Sequence, residues 1–144
     1  MRGRCLCGEV EFEILGRLPK LYQCHCGLCR KQSGAASNAA TIVGAQELCF
    51  LKGVESIRTW KKETGFRSDF CGICGSPVPN PLWDKPYYWV PAGLLEGALE
   101  TTIAVHVRLG SKAGWDPKPV QGKLCAELPG LNEVLELIKR GPGA

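Results

Sequence analysis

The sequence predicts a mainly β protein, mostly antiparallel, closed by one short helix. Three observations carry that prediction. Short segments alternate apolar and polar residues at period two, 18 glycines and 10 prolines break the chain too often for long helices, and one helical stripe stands near the C-terminal end.

Val10-Glu11-Phe12-Glu13-Ile14 is the clearest strand, its apolar residues separated by glutamates. Leu48 to Lys52, Ser56 to Lys61 and Phe66 to Phe70 continue as a meander, with Gly53 and Thr64-Gly65 at the turns. Ser76-Pro77-Val78-Pro79-Asn80-Pro81 carries three alternating prolines, which forbid helix and suit an extended loop or a sheet edge. Tyr87 to Val90 and Thr102 to Val107 are the next strands; in the second, Ile103, Val105 and Val107 share one face and His106 takes the other. Gly110 to Gly122 reads as loop. Cys29 to Ser33 predicts one or two helical turns stopped by Gly34. Leu131, Val134, Leu135 and Ile138 form an i, i+3, i+4, i+7 stripe, which predicts a helix over 131–140 with glutamates early, Lys139-Arg140 late and Gly141-Pro142 as its stop. With no internal repeat or linker, 1–144 reads as a single domain.

Apolar content of 44% and charged content of 22% are those of an ordinary globular protein. Met1-Arg2-Gly3-Arg4 runs straight into cysteines, no apolar run has the length of a membrane span, and no signal peptide is expected; the predicted setting is cytoplasmic, without a membrane partner. The formal charge of +4 treats every cysteine as neutral. Basic residues are scattered, so nucleic acid is not an expected partner.

Seven of the nine cysteines stand in three tight clusters: Cys5-Leu-Cys7, Cys24-His25-Cys26-Gly27-Leu28-Cys29 and Cys71-Gly72-Ile73-Cys74. In a reducing compartment such spacing points to metal rather than disulfides. Cys5/Cys7 and Cys71/Cys74, with 63 residues between Cys7 and Cys71, are predicted to close one four-thiolate zinc site that clips the first strand to a rubredoxin-like knuckle. Cys24, Cys26 and Cys29 are predicted to hold a second zinc from one short segment, leaving its fourth position open. The alternative is a second closed site completed by Cys49, Cys125 or His106. By residue type alone, Cys49 reads as a buried strand thiol and Cys125 as a core or loop thiol. His25 reads as a surface group or a support behind the ligands, and His106 as a packed, hydrogen-bonded histidine.

These clusters in this order resemble the glutathione-dependent formaldehyde-activating enzyme (Gfa, or CENP-V domain) family. The resemblance rests on Cys5-Leu-Cys7-Gly8 before a strand, Cys24 through Gly34, and Phe70-Cys71-Gly72-Ile73-Cys74-Gly75. Val90-Pro91-Ala92-Gly93-Leu94-Leu95, His106, Trp115 and Leu128-Pro129 extend it over roughly residues 3 to 130. The resemblance implies a β-tent-like fold of small sheets around two zinc ions per chain. Cys5, Cys7, Cys71 and Cys74 would hold the structural zinc, and Cys24, Cys26 and Cys29 the catalytic one. It implies a carbon–sulfur lyase-type activity on a thiol–aldehyde adduct, such as S-(hydroxymethyl)glutathione, and a small-molecule thiol such as glutathione as partner. Arg30 and Lys31 are candidates to meet a carboxylate of that thiol. A non-enzymatic zinc-binding structural or interaction module is the alternative function.

Overall fold

The structure, a computed structural model, describes residues 1–97 and 99–141. In chain order its strands are β1 (Arg2–Arg4), β2 (Glu11–Ile14), β3 (Leu21–Cys24), β4 (Asn38–Gly44), β5 (Leu48–Lys52), β6 (Ile57–Lys61), β7 (Arg67–Cys71), β8 (Asn80–Pro81), β9 (Tyr87–Pro91), β10 (Ile103–Val107) and β11 (Lys123–Leu124). The helices are α1 (Gly27–Ser33) and α2 (Leu131–Ile138), and single 3₁₀ turns join several strands. The fold is therefore mainly β with a short C-terminal helix, as the sequence predicts. Two compact units are distinguishable: Met1–Leu18 with Ile42–Leu99, and Pro19–Thr41 with Glu100–Ala144. No helix among the described residues is long and apolar enough to cross a membrane.

In the first unit β1, β2 and β5 form an antiparallel sheet in that order, and β6 and β7 form an antiparallel hairpin. The alternation of β2 puts Phe12 and Ile14 on the buried face, where they pack with Leu18, Val43, Leu48 and Val90. Phe12 stands opposite Gly3 of β1, and a Cβ on Gly3 would lie 2.4 Å from the Phe12 ring, so only glycine admits the aromatic ring there. The Phe50 ring meets Phe12 edge-on at 6.5 Å. A second cluster joins Val10 and Val78 to the thiols of Cys5 and Cys71, which makes two cysteines part of the core. Asp69, buried on β7, is held by two hydrogen bonds from Arg67 at 2.8 and 3.0 Å, which balance its charge.

In the same unit Cys49 corrects an expectation. It is exposed rather than buried, because Leu48 and Phe50 take the inward positions of β5 and period two turns Cys49 outward.

In the second unit the pairing is not antiparallel throughout. β10 lies parallel to β3 on one side and to β11 on the other, while β3 pairs antiparallel with the start of β4. Val105, His106 and Val107 are all buried, as expected of a parallel strand covered on both faces. α2 packs against β10 through the buried Val134 and Ile138 of the expected stripe, and the Ile138 carbonyl accepts from Lys20 N–H at 2.7 Å. Glu133 in its first turn pairs with Lys123 at 3.1 Å. The helix ends at Ile138 with Lys139 as its cap, and Arg140 donates to the Glu100 carbonyl; the Pro142 stop signal lies outside the described residues.

Candidate metal centres

Among the described residues two groups of side chains could hold metal ions: Cys5, Cys7, Cys71 and Cys74 in the first unit, and Cys24, Cys26 and Cys29 in the second. Within each group the sulfur atoms lie within 4.8 Å of one another. All nine cysteines are free thiols.

Two knuckle turns build the first group. Beside β2, Cys5 N–H donates to the Val10 carbonyl and Gly8 N–H returns to the Cys5 carbonyl at 3.1 Å, so the chain folds tightly around the Cys5 sulfur. Val10 N–H then points at that sulfur at 3.3 Å. At the end of β7, Cys71 N–H donates to Ser76 and Gly75 N–H to Cys71 at 2.8 Å, while Gly75 takes a left-handed φ of 78° that side-chain-bearing residues rarely adopt. The Cys5–Cys7 and Cys7–Cys71 sulfur separations are 3.7 and 3.8 Å. A tetrahedral zinc with four Zn–S bonds of about 2.3 Å has an edge of about 3.8 Å, so the donor set fits such an ion.

The second group comes from a strand end and a helix start. Cys24 is the last residue of β3 and stands opposite Val107 of β10. Cys26 caps α1, its sulfur accepting from Cys29 N–H at 3.4 Å, which aims one backbone dipole at a sulfur. Gly34 closes the helix with its N–H on the Arg30 carbonyl. Among the described residues no fourth cysteine, histidine or carboxylate joins this group.

The thiols titrate as crowded sets. Cys24 is drawn down to about 6, chiefly because Cys29 hydrogen-bonds to it, with burial opposing; Cys29, the donor, is pushed up by the same bond and by burial. Cys74 falls to about 6 although burial works against it, because backbone N–H groups and neighbouring thiols donate to it. Cys7 rises to about 12: the Glu9 backbone alone would lower it, but burial and the adjacent thiols outweigh that. In each set one thiolate forms readily and the next is held protonated, so a cation is what would let all of them ionise together.

Behind the three-thiol segment sit residues that the sequence singled out, joined by Asp116 and Arg108, which it did not. His25 is buried, not at the surface, and its Nε2 lies 3.0 Å from His106 Nδ1. Its Nδ1 faces Asp116 Oδ2 at 3.6 Å. His106 is packed and hydrogen-bonded, in line with its sequence reading. Both histidines are held below their ordinary range, burial first; the charge of His106 adds to this for His25, and Asp116 opposes it for both. Arg108, whose positive charge helps lower Cys24, adopts a left-handed φ of 58°, the one local signal that singles it out. Arg30 is half-buried, with a terminal nitrogen 3.4 Å from the Ser111 carbonyl, while Lys31 is exposed. Cys125 is half-buried, its backbone bonded to His106 and Leu109.

A family model described as "Glutathione-dependent formaldehyde-activating enzyme" matches residues 1–111. A crystal structure of a Rhodobacter sphaeroides protein, a structural genomics target, is 26% identical with a TM-score of 0.58, over 72% of this chain and 100% of that one. No curated protein matches the chain.

Proposed function

The chain belongs to the glutathione-dependent formaldehyde-activating enzyme family, and from that premise we propose a zinc-dependent enzyme of carbon–sulfur lyase type that makes and breaks the bond between a thiol and an aldehyde, with S-(hydroxymethyl)glutathione as candidate substrate. The observation that carries the reading is the Cys24–Cys26–Cys29 group, three thiols from one segment with no fourth protein ligand among the described residues. Cys5, Cys7, Cys71 and Cys74 take the structural role. Cys24, Cys26 and Cys29 would hold the zinc, which would supply a site for a substrate sulfur and lower the pKa of that thiol.

In the direction of synthesis the thiol loses its proton to solvent, its sulfur bonds to the aldehyde carbon, and the carbonyl oxygen takes up a proton. The reverse reaction returns free thiol and aldehyde. Cys24, Cys26 and Cys29 donate strongly, which weakens Lewis acidity and favours orienting a soft sulfur over activating water. Arg30, Lys31 and Arg108 are assigned to the carboxylates of the thiol; Arg108 already acts electrostatically on Cys24. Reduced, clustered thiols suit a cytoplasmic setting.

The test is the exchange rate between glutathione with formaldehyde and their adduct, followed by magnetisation-transfer NMR on metal-loaded protein. Exchange should run faster than in buffer and return to the buffer rate in Cys26→Ser. Equal rates in buffer and with fully loaded wild type would remove the lyase reading and leave a zinc-binding module.

A further inference from the structure

Two buried imidazoles packed against each other are costly unless their polar atoms are used, since an apolar pair would fill the same space without desolvating four ring nitrogens. Here the pair sits where the three-thiol segment is anchored. Cys24 ends β3 and Cys26 caps α1, so His25 is the one residue between two of the three thiols. Its backbone N–H donates to the Val107 carbonyl at 3.1 Å, and its side chain reaches back to His106, the neighbouring residue of β10. The turn is thus pinned twice to one buried strand.

The ends of this chain of groups are polar as well. The Gln121 backbone favours the protonated form of His106, and Asp116 does the same for His25, whose Nδ1 faces the carboxylate at 3.6 Å. Between the rings His25 Nε2 and His106 Nδ1 lie 3.0 Å apart, a hydrogen bond whose direction is set by the tautomers. At that length it is the closest side-chain polar contact of His25 among the described residues.

We infer that His106, acting through His25, is the positioning residue of the three-thiol site: the hydrogen bond between the buried rings holds the turn that sets Cys24 against Cys26, and metal retention at that site depends on it. This rests on the metal reading of Cys24, Cys26 and Cys29, though not on any particular substrate. Groups that orient ligands without touching the metal change its affinity by about 10–100-fold when removed.

Amide side chains separate positioning from packing. In His106→Asn the side-chain amide stands near the place of Nδ1 and can still pair with the His25 ring; in His106→Gln the amide reaches the place of Nε2 and leaves that pairing. With protein loaded with Co²⁺ and challenged with a chromogenic chelator, release from the three-thiol site should be about 10–100-fold faster in His106→Gln and near wild type in His106→Asn. The thiolate-to-cobalt absorption of that site should change in the first variant alone. The reciprocal pair reads the other ring: His25→Gln keeps an amide near the place of Nε2 and should retain metal, and His25→Asn should lose it. Metal on Cys5, Cys7, Cys71 and Cys74 reports folding in the same sample, and if His106→Gln sheds both metals the His25 pair decides. Equal release by the Asn and Gln variants at both positions would overturn the inference while leaving the metal site intact. A wild type that binds one metal equivalent would instead remove the three-thiol site itself, and the inference with it.

Discussion

The two cysteine groups offer a metal ion the same thiol chemistry from opposite settings. Cys5, Cys7, Cys71 and Cys74 come from segments far apart in sequence, Cys7 and Cys71 being separated by 64 positions, and two of them are packed in a hydrophobic cluster with Val10 and Val78. Cys24, Cys26 and Cys29 span six residues, are half-buried, and rest on a histidine pair rather than on an apolar core. An ion that joins distant segments carries loop-closure entropy and core packing with it, so its binding energy is folding energy. An ion gripped by one short segment closes no long loop, so it can exchange, or share a position with a substrate, at little expense to the fold. The lesson is that ligand count alone does not assign a role; the sequence separation of the ligands and what they are packed against do.

Removing one thiol from each group gives the largest contrast. Cys71→Ser should cost several kcal/mol of unfolding free energy, a fraction of the roughly 10–16 kcal/mol with which structural zinc holds small domains, because a fully buried sulfur also leaves the core. Cys26→Ser should lower bound metal from about two to about one per chain, with the denaturation midpoint nearly unchanged. Metal content and urea unfolding on the same samples check both. Two variants that unfold alike would erase the division between the sites.

Much of this was legible in the sequence. β2 and β10 lie where period-two patterning places them, and β5, β6, β7 and β9 lie in the short segments that the sequence reads as strands, bounded for the most part by turn residues. β4 was not found: Asn38-Ala39-Ala40-Thr41-Ile42-Val43-Gly44 is buried along most of its length and so carries no alternation. β3 is four residues without a pattern, and its parallel pairing with β10 is a non-local fact that no window of sequence contains. The seven clustered cysteines were visible because metal ligands need close spacing. For His25 the sequence left two places open, the surface or a support behind the cysteines; its backbone bond to Val107 and its burial select the second. Asp116 and Arg108 reach the segment only through the fold, and nothing in their local sequence marks them.

A glycine-to-alanine pair sharpens the contrast at the level of backbone. Gly75 needs its left-handed φ of 78° to turn the chain around Cys71, and no atom stands within 4 Å of an added Cβ, so the whole effect of Gly75→Ala is conformational. It should destabilise by about 1–2 kcal/mol. Gly27 opens α1 in an ordinary helical conformation, with only the Arg30 guanidinium 3.8 Å from an added Cβ. Gly27→Ala should be neutral or stabilising by up to about 1 kcal/mol, since alanine restricts the unfolded chain and suits the helix. Midpoints of denaturation with both metals bound measure the difference. A loss at Gly27 as large as that at Gly75 would mean that the three-thiol segment is also under backbone constraint.

The smallest effect is one of pH, and it belongs to the second unit alone. His25 and His106 are held below their ordinary value, first by burial and, for His25, by the charges of His106 and Lys112; Asp116 pushes both back up, and the Gln121 backbone does so for His106. Above about pH 6.5 both rings are neutral whether the chain is folded or not, and they contribute no pH dependence. As the pH falls below that value the unfolded chain takes up protons that the folded chain refuses, so stability declines toward the depressed native values. Between pH 6.5 and 5.5 each histidine can account for at most about 1 kcal/mol of that decline. Acid also weakens thiolate–metal bonds, so the informative quantity is a difference between variants. His106→Asn should lose less stability than wild type over this interval, by up to about 1 kcal/mol, whereas Gly75→Ala should run parallel to wild type because it leaves both rings in place. Coincident slopes for His106→Asn and wild type would mean that the folded chain does carry a protonated ring, with His25 as an imidazolium against the Asp116 carboxylate 3.6 Å away.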